Sequence, residues 1–233
     1  MSQTRIGCDL SPNDYDALNA CIPGYDHFQG FIAAKTHDLL IARKHPKIIH
    51  MGCGTGATTA ALARVLPNAT IYATDNSAQM LTVAAQRLAG FDNVKFSKAR
   101  VSDLPPSLDF DAVILGCFTH DLPPHIRRRL YSNGVGRLVR QGGLIIIGDK
   151  IAEDDTMSNW RSLLADAACL EQLRNTEHAS LEMTWIQHLL YDYQIRLTET
   201  EQRALFVNAG CDNIVLHIRC GSYAFMSGIK TDA

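Results

Sequence analysis

The fold is decided by residues 48–56, which run Ile-Ile-His-Met-Gly-Cys-Gly-Thr-Gly and lead into an alanine-rich stretch from Ala57 to Leu66. An apolar run that breaks into alternating glycines predicts a strand, a tight turn and the start of a helix. The helix would direct free N–H groups and a partial positive charge at a nucleotide-like ligand. Because Gly52-x-Gly54-x-x-Ala57 also satisfies the dinucleotide fingerprint, the turn alone leaves the ligand open.

The composition indicates one folded domain with no strong charge. The chain has 233 residues, of which 46% are hydrophobic and 20% charged, and its formal net charge is −2. This balance provides no attractive field for nucleic acid, and the one basic run, Arg127 to Arg129, lies in a helical pattern typical of a solvated face. We therefore expect no nucleic-acid partner.

Cysteine usage and hydropathy favour a cytoplasmic protein without a metal site or a membrane segment. The seven cysteines form no C-x-x-C pair, which argues against a disulfide framework and a zinc site. The N-terminal residues lead into no apolar segment of the signal-peptide type, and no run approaches about 18 uninterrupted apolar residues. Six histidines show no metal-ligand grouping: His27, His37, His45, His125, His178 and His217.

Strands alternate with helices over the first two thirds of the chain. Buried strands are predicted at residues 47–51, 69–75, 94–96, 110–115 and 144–147. Helical patterns fill the other intervals, including one from Pro124 to about Val139, but residues 100–106 between the third and fourth strands predict a loop. Since this βαβ spacing is typical of parallel strands joined by crossover helices, we predict a doubly wound α/β fold.

Two helical regions flank this alternation. Residues 1–24 are polar and predict an N-terminal lid with a short helix from Asn13 to Cys21. After the fifth strand, residues 153–197 carry apolar side chains at helical spacing and predict a cap over the carboxyl edge of the sheet. Both regions would lie where an open α/β sheet binds its ligands.

The C-terminal residues predict a closing hairpin. A helix over residues 198–208 is followed by two strands within residues 213–229, joined near Gly221. A terminal hairpin must place one strand antiparallel in an otherwise parallel sheet. We therefore predict that residues 25–233 form a single Rossmann-like domain around a seven-stranded, mostly parallel sheet with an antiparallel last strand.

Later residues narrow the choice of ligand. Asp75 ends the second strand about twenty residues after the glycine turn, where an acid can accept both hydroxyls of a ribose. Ser102 and Asp103 lie where an adenine amino group needs an acceptor. Since a terminal antiparallel hairpin is foreign to the usual dinucleotide sheet, these features favour an adenosine without a pyrophosphate.

The motifs Gly52-Cys53-Gly54-Thr55-Gly56, Asp75-Asn76-Ser77-x-x-Met80, Gly142-Gly143 and the final hairpin resemble class I S-adenosylmethionine-dependent methyltransferases. The resemblance covers about residues 25–229 and implies S-adenosyl-L-methionine as the cofactor. A looser resemblance, to carboxy-S-adenosylmethionine synthases, is carried by Pro23-Gly24-Tyr25, Thr74 to Met80, Asp149-Lys150, Leu181 to Thr184 and Cys220-Gly221-Ser222. Those synthases also suggest a homodimer.

The resemblance to the methyltransferases implies a role for each cofactor-binding residue. The turn from Gly52 through Cys53 and Gly54 to Gly56 would lie along the methionine part, and Asp75 would hold the ribose. Asn76 and Met80 would flank the adenine, and Ser102 and Asp103 would meet its amino edge.

The chain departs from its relatives at two positions. His50 stands where the superfamily usually has an acid, two residues before the first glycine. Gln187, next to Ile186, stands where the carboxy-S-adenosylmethionine synthases have an arginine that holds the added carboxylate. A relative that uses its cap for a different reaction is therefore favoured.

Methyl transfer needs aligned reactants and, for some acceptors, a base. His120, at the end of the fourth strand, is the predicted base, with a loop histidine bonded to backbone as the alternative of equal weight. Tyr25 is predicted to stack near the sulfonium, or else only to pack. Trp185, His188 and either Tyr191 or Asp192 recur at i, i+3 and i+6 or i+7 on one helix face and would line an acceptor pocket, or else the aromatic residues only anchor the cap to the sheet. Tyr15 and Asp14 of the lid would close over this site.

Three hypotheses of function follow. The first is methyl transfer to a small-molecule acceptor. The second uses S-adenosylmethionine itself as the substrate, by cyclisation to an amino acid such as azetidine-2-carboxylate with release of methylthioadenosine, or by carboxylation. The third is a binding or interaction protein without turnover.

Overall fold

The computed structural model describes residues 10–100, 103–104 and 109–231, and a seven-stranded sheet lies at its centre. The strands are β1 Lys47–Met51, β2 Thr70–Asp75, β3 Val94–Lys98, β4 Phe110–Gly116, β5 Val139–Lys150, β6 Cys211–Cys220 and β7 Tyr223–Lys230. Their spatial order is β3-β2-β1-β4-β5-β7-β6; β7 runs antiparallel to the other six strands, and the four pairs from β3 to β5 are parallel. The predicted fold class is confirmed.

The strand order reverses beside β1, which determines where a ligand can enter. β1 pairs with β2 on one side and with β4 on the other. The chain moves outward from β1 to β3 and then returns to β4, so the connections after β1 and β4 leave the sheet in opposite directions. In open α/β sheets a crevice forms at this point, outside the carboxyl ends of the strands.

Apart from the single helical turn Gly136–Leu138, nine α-helices among the described residues surround the sheet. They are α1 Pro12–Ala20, α2 Tyr25–Leu40, α3 Ala57–Val65, α4 Ala78–Arg87, α5 Pro124–Leu130, α6 Thr156–Ala167, α7 Cys169–Arg174, α8 Glu182–Ile195 and α9 Glu199–Asn208. One core cluster includes Ile32 and Leu62, and another includes Tyr131 and Phe206. Because helices cover both faces, every residue of β4 is buried.

The helix predicted from Pro124 to about Val139 is less regular than the helical pattern of its sequence indicates. After α5 the chain passes through a π-helical turn, Tyr131–Val135, and a last helical turn, Gly136–Leu138. Gly136 lies against a neighbouring backbone, since a Cβ at this position would be 2.4 Å from the carbonyl oxygen of Ala209. The close approach explains why a glycine is required here.

The lid and the cap share one hydrophobic cluster above the sheet. Leu18 of α1 and Cys21 and Ile22 beyond it pack with Cys169, Leu173, Trp185 and Leu189 of the cap. The described part of the lid therefore packs against the cap, and its opening as a separate unit stays a prediction. Among the described residues, no helix combines the length and the apolar character needed to cross a bilayer.

Candidate active site

The glycine turn after β1 has the backbone shape that its sequence predicts. Gly52, Gly54 and Gly56 all adopt positive φ, at 66°, 53° and 88°. A Cβ on Gly52 would lie 2.6 Å from the Phe118 ring, so a side chain at this position would both clash and strain the backbone.

Cys53, between Gly52 and Gly54, is buried, and its N–H donates to the carbonyl of Thr74 over 2.9 Å. Burial raises the pKa of its thiol to about 12, so the thiol stays neutral.

Asp75 connects the glycine turn to the next helix. Its Oδ2 accepts the N–H of Gly54 over 2.9 Å, and its Oδ1 accepts the N–H of Ser77 over 2.8 Å. A carboxylate has about four lone-pair positions, so two remain for the hydroxyls of a ribose. Ser77 caps α4, on which Met80 is buried, while Asn76 before it is exposed. These donors and acceptors fit an adenosyl ligand.

The expected contacts to the adenine amino group lie in the loop after β3. Ser102 falls outside the described residues. The carboxylate of Asp103 accepts the N–H of Arg100 over 3.2 Å, which holds this side chain beside its own loop. The role of both residues toward an adenine stays a prediction.

The lid lies directly on the glycine turn. The ring of Tyr15 is 3.7 Å from where a Cβ of Gly54 would stand. Next to it, Asp16 accepts a hydrogen bond from the hydroxyl of Thr55 over 2.6 Å and one from Arg87 over 2.6 Å. Three separate segments are thus tied together at the mouth of the cofactor site.

His50 points into the core and does not line the cavity of the site. The side chain is 1% exposed, and its Nδ1 lies 2.8 Å from the hydroxyl of Thr59. Its Nε2 lies 2.9 Å from where a Cβ of Gly116 would stand and has no hydrogen-bond partner among the described residues. Burial lowers the pKa of His50 to about 4, so the ring is neutral at pH 7.

His120 lies in the short 3₁₀ turn Thr119–Asp121 that follows β4, and it is bonded to a carboxylate and not to backbone. Its Nδ1 is 2.5 Å from Oδ1 of Asp149, a fully buried residue near the end of β5. The other oxygen of Asp149 accepts the N–H and the hydroxyl of Thr119 over 2.7 and 2.6 Å. This arrangement fixes Nδ1 as the protonated nitrogen and leaves Nε2 facing away from Asp149.

A second carboxylate lies on the other side of the His120 ring. Oδ1 of Asp121 is 3.5 Å from Nε2 of His120 and 3.4 Å from Nδ1 of His188. Burial lowers the pKa of His120, but Asp121 and Asp149 together outweigh it and raise the pKa above its ordinary value. Burial lowers the pKa of His188 to about 4. The ligand atoms of these three residues lie within 4.8 Å of one another, close enough in space to hold a metal ion.

One cavity joins these groups to the lid and the cap. It is lined by Leu10, Tyr15, Leu18, Asn19, Ile22, Tyr25, Cys117, His120, Asp121, Lys150, Trp185, His188 and Tyr223. The structure thus brings together five residues that the sequence predicted: Tyr15, Tyr25, His120, Trp185 and His188.

Tyr191 was wrongly predicted to share this pocket, since it is half-buried and lies outside the cavity lining. A turn of 3.6 residues brings position i+7 back to the starting face and leaves i+6 well to one side. Asp192 therefore takes the inward position and is fully buried. Gln187 is exposed and does not face the cavity.

Lys150 and its neighbours form a buried charged group that the sequence did not reveal. The ammonium of Lys150 lies 3.4 Å from Oδ2 of Asp192. Asp192 also forms an ion pair with Arg196, which bonds Asp166 over 3.1 Å. Asp149 and Lys150 are adjacent polar residues at the end of an apolar strand, and that contrast is the signal that could have identified them.

The comparisons with known proteins agree with this geometry. The model of a family described as "Methyltransferase domain" matches residues 48–143. Trans-aconitate 2-methyltransferase of Deinococcus radiodurans is 33% identical over 129 residues, which cover 53% of this chain and 46% of that relative. Carboxy-S-adenosyl-L-methionine synthase of Shewanella amazonensis is 25% identical over 220 residues, covering 92% of this chain and 88% of that relative.

Solved structures show the same fold at low identity. Human N-acetylserotonin methyltransferase, in complex with S-adenosylmethionine, gives a TM-score of 0.61 at 17% identity and covers 87% of this chain and 52% of its own. The plantazolicin methyltransferase BpumL gives a TM-score of 0.62 at 14% identity, and the match covers 88% of this chain and 85% of BpumL. With the glycine turn, Asp75 and the sheet order, the match of residues 48–143 to the methyltransferase domain family indicates a transferase whose cofactor is S-adenosyl-L-methionine. The chain has the class I methyltransferase fold, and its residues 48–143 match the methyltransferase domain family.

Proposed function

We propose that this enzyme transfers a methyl group to a small-molecule acceptor and that His120 removes the acceptor's proton. The observation that carries the proposal is the bond from Nδ1 of His120 to the buried carboxylate of Asp149. That bond fixes the tautomer and orientation of the ring, as in hydrolases where a buried acid orients a histidine base. The ring lines the cavity at the carboxyl edge of the sheet, where an acceptor would bind.

The chain's own residues would divide the work as follows. S-adenosylmethionine supplies, when bound, a methyl group activated by its sulfonium. Gly52, Cys53, Gly54 and Gly56 would hold the methionine part through their backbone, and Asp75 would accept the ribose hydroxyls. The side chains of Met80 and Asn76 would flank the adenine, and Tyr15 would close the lid. The aromatic face of Tyr25 suits a nearby cation.

His120 would take the proton of an acceptor O–H or N–H at Nε2 while the acceptor's electron pair bonds to the methyl carbon and the bond from that carbon to sulfur breaks, leaving S-adenosylhomocysteine. The ring then becomes an imidazolium between Asp149 and Asp121, whose charges stabilise it. Trp185 and His188 would form the cap side of the acceptor pocket and exclude water. Cytoplasmic location and homodimer formation belong to the same proposal.

Mass spectrometry of the purified protein tests the proposal. The protein is incubated with S-adenosylmethionine alone and with a pool of small phenols, acids and amines. We expect S-adenosylhomocysteine and a methylated product only when an acceptor is present. Methylthioadenosine formed without an acceptor would contradict methyl transfer and indicate cyclisation of the cofactor. A carboxylated cofactor retained through purification would indicate a synthase.

A further inference from the structure

The cavity contains a buried cation whose hydrogen-bonding capacity is unused. Lys150 is 3% exposed and lines the cavity. Its Nζ makes no hydrogen bond to any residue that the structure describes, although an ammonium has three N–H donors. A buried charge is costly unless it is paired and hydrogen-bonded, so this group requires an acceptor from outside the described residues.

The nearby carboxylate of Asp192 does not meet that requirement. It lies 3.4 Å from Nζ of Lys150 without forming a hydrogen bond, and its Oδ2 is already bound by the guanidinium of Arg196. A second contact joins Nε of Arg196 to Oδ1 of Asp192 over 3.3 Å. The hydrogen bonds to this acid thus come from Arg196, whereas Lys150 pairs only with its charge.

The surroundings of Lys150 indicate what kind of ligand completes it. Nζ lies 5.1 Å from the ring centroid of Trp185 and 5.8 Å from that of Tyr223. The amide Nδ2 of Asn19 lines the same cavity and meets no acceptor among the described residues. An anion with a flat or apolar body would satisfy the donors and pack against the rings.

We propose that Lys150 binds the carboxylate of the methyl acceptor, which is a small organic acid with an apolar or aromatic body and a second nucleophilic group. The inference rests on the proposed function, since it places the carboxylate at Lys150 and the group to be methylated at His120, two residues of one cavity. The acid itself is then held rather than methylated.

Calorimetry with defined probes tests the inference on protein saturated with S-adenosylhomocysteine. The probes are benzoate and 2-, 3- and 4-hydroxybenzoate, each paired with the corresponding amide. We expect at least one acid to bind about 10- to 100-fold more tightly than its amide, the effect of a hydrogen bond to a charged group. K150M should remove this preference, K150R should retain part of it, and K44M, at an exposed lysine, should leave it unchanged.

Several outcomes would overturn the inference. They are equal affinity for acid and amide in the wild type, an undiminished preference in K150M, and failure of every probe acid to bind. A carboxylated cofactor that wild-type protein retains and K150M loses would show that Lys150 binds a carboxylate of the cofactor and not one of the acceptor. If K150M does not fold, K150R and the acid-amide comparison in the wild type still decide. Acid binding without any methylated product would contradict the proposed function alone.

Discussion

The glycine turn and the His120–Asp149–Lys150 group occupy the same edge of the sheet but are built in different ways. The turn is five consecutive residues, 52–56, in which three glycines with positive φ shape a backbone whose N–H groups would hold the cofactor in the proposed function. The second group brings together His120 after β4 and Asp149 and Lys150 at the end of β5, next to Asp192 of the cap, and all four are buried and ionisable. In the proposed function, cofactor binding would therefore be local and mostly through the backbone, whereas acceptor chemistry would depend on contacts between charges that are distant in the sequence.

The two regions should therefore respond differently to substitution. Asp75 is only partly buried, so changing it alters contacts that water can replace in part. Asp149 and Asp192 are completely buried, and removing one charge leaves its partner unpaired in the interior. The comparison predicts that changes near the cap alter turnover and pH dependence, while changes at the turn alter cofactor affinity.

The largest expected effect is on turnover in H120A. Removing the base should lower kcat about 10²- to 10⁴-fold with the acceptor identified by mass spectrometry, because proton removal in the transition state is lost. The affinity for S-adenosylhomocysteine, measured by calorimetry, should stay within about twofold, since the ring is not part of the glycine turn.

H125A is the matched control, since His125 is exposed in the helix that follows. It should turn over like the wild type. Unchanged kcat in H120A would show that the acceptor reacts without this base, and equal loss in both variants would point to misfolding.

The same comparison explains how much the sequence predicts. The fold and the position of Asp75 were accessible because alternating glycines, apolar strands and an acid at a fixed spacing are local patterns. His120 and Trp185 were identified from their place in the chain, but Asp149, Asp121 and Lys150 were not included in the site. Their roles depend on which strand ends meet in space, and a pattern in one segment does not contain that information. The prediction for Tyr191 was wrong because Asp192, one residue further along the helix, takes the position that faces inward.

Asp75→Ala should produce the next largest effect. Loss of two charge-assisted hydrogen bonds to the ribose would weaken cofactor binding about 10- to 100-fold, with kcat at saturating cofactor much less affected. D75N, which keeps the size and one acceptor, should lie between, and D92N at an exposed aspartate serves as the control. Calorimetry of the three variants decides, and wild-type affinity in D75A would remove the ribose assignment.

His50 provides a stability test beneath the glycine turn. The pKa of His50 in the folded protein is about 4, below the ordinary value near 6.5. The contribution of the neutral ring to stability is therefore complete at pH values above 6.5. As the pH falls below 6.5, the unfolded chain takes up a proton at His50 before the folded protein does. The free energy of unfolding should therefore drop by about 2 kcal/mol between pH 7.5 and pH 5 on account of this ring. H50N should lose stability at pH 7.5 yet show a smaller drop on acidification in urea titrations. An equal drop in both proteins would mean that His50 is not the group that titrates.

The smallest and most specific effect concerns the pH dependence of D149N. A base acts only when unprotonated, so kcat/KM should rise with pH through the pKa of His120, which Asp121 and Asp149 raise. Removing the charge of Asp149 lowers that pKa, and the acid limb of the profile should move to lower pH even though the plateau falls because the tautomer is less well fixed. D38N, at an exposed aspartate of α2, should leave the limb in place. A limb that moved to higher pH in D149N, or did not move, would mean that His120 is not the group whose protonation limits the reaction. Asp121 remains in this variant, but the loss of the Asp149 charge can only lower the pKa of His120 relative to the wild type.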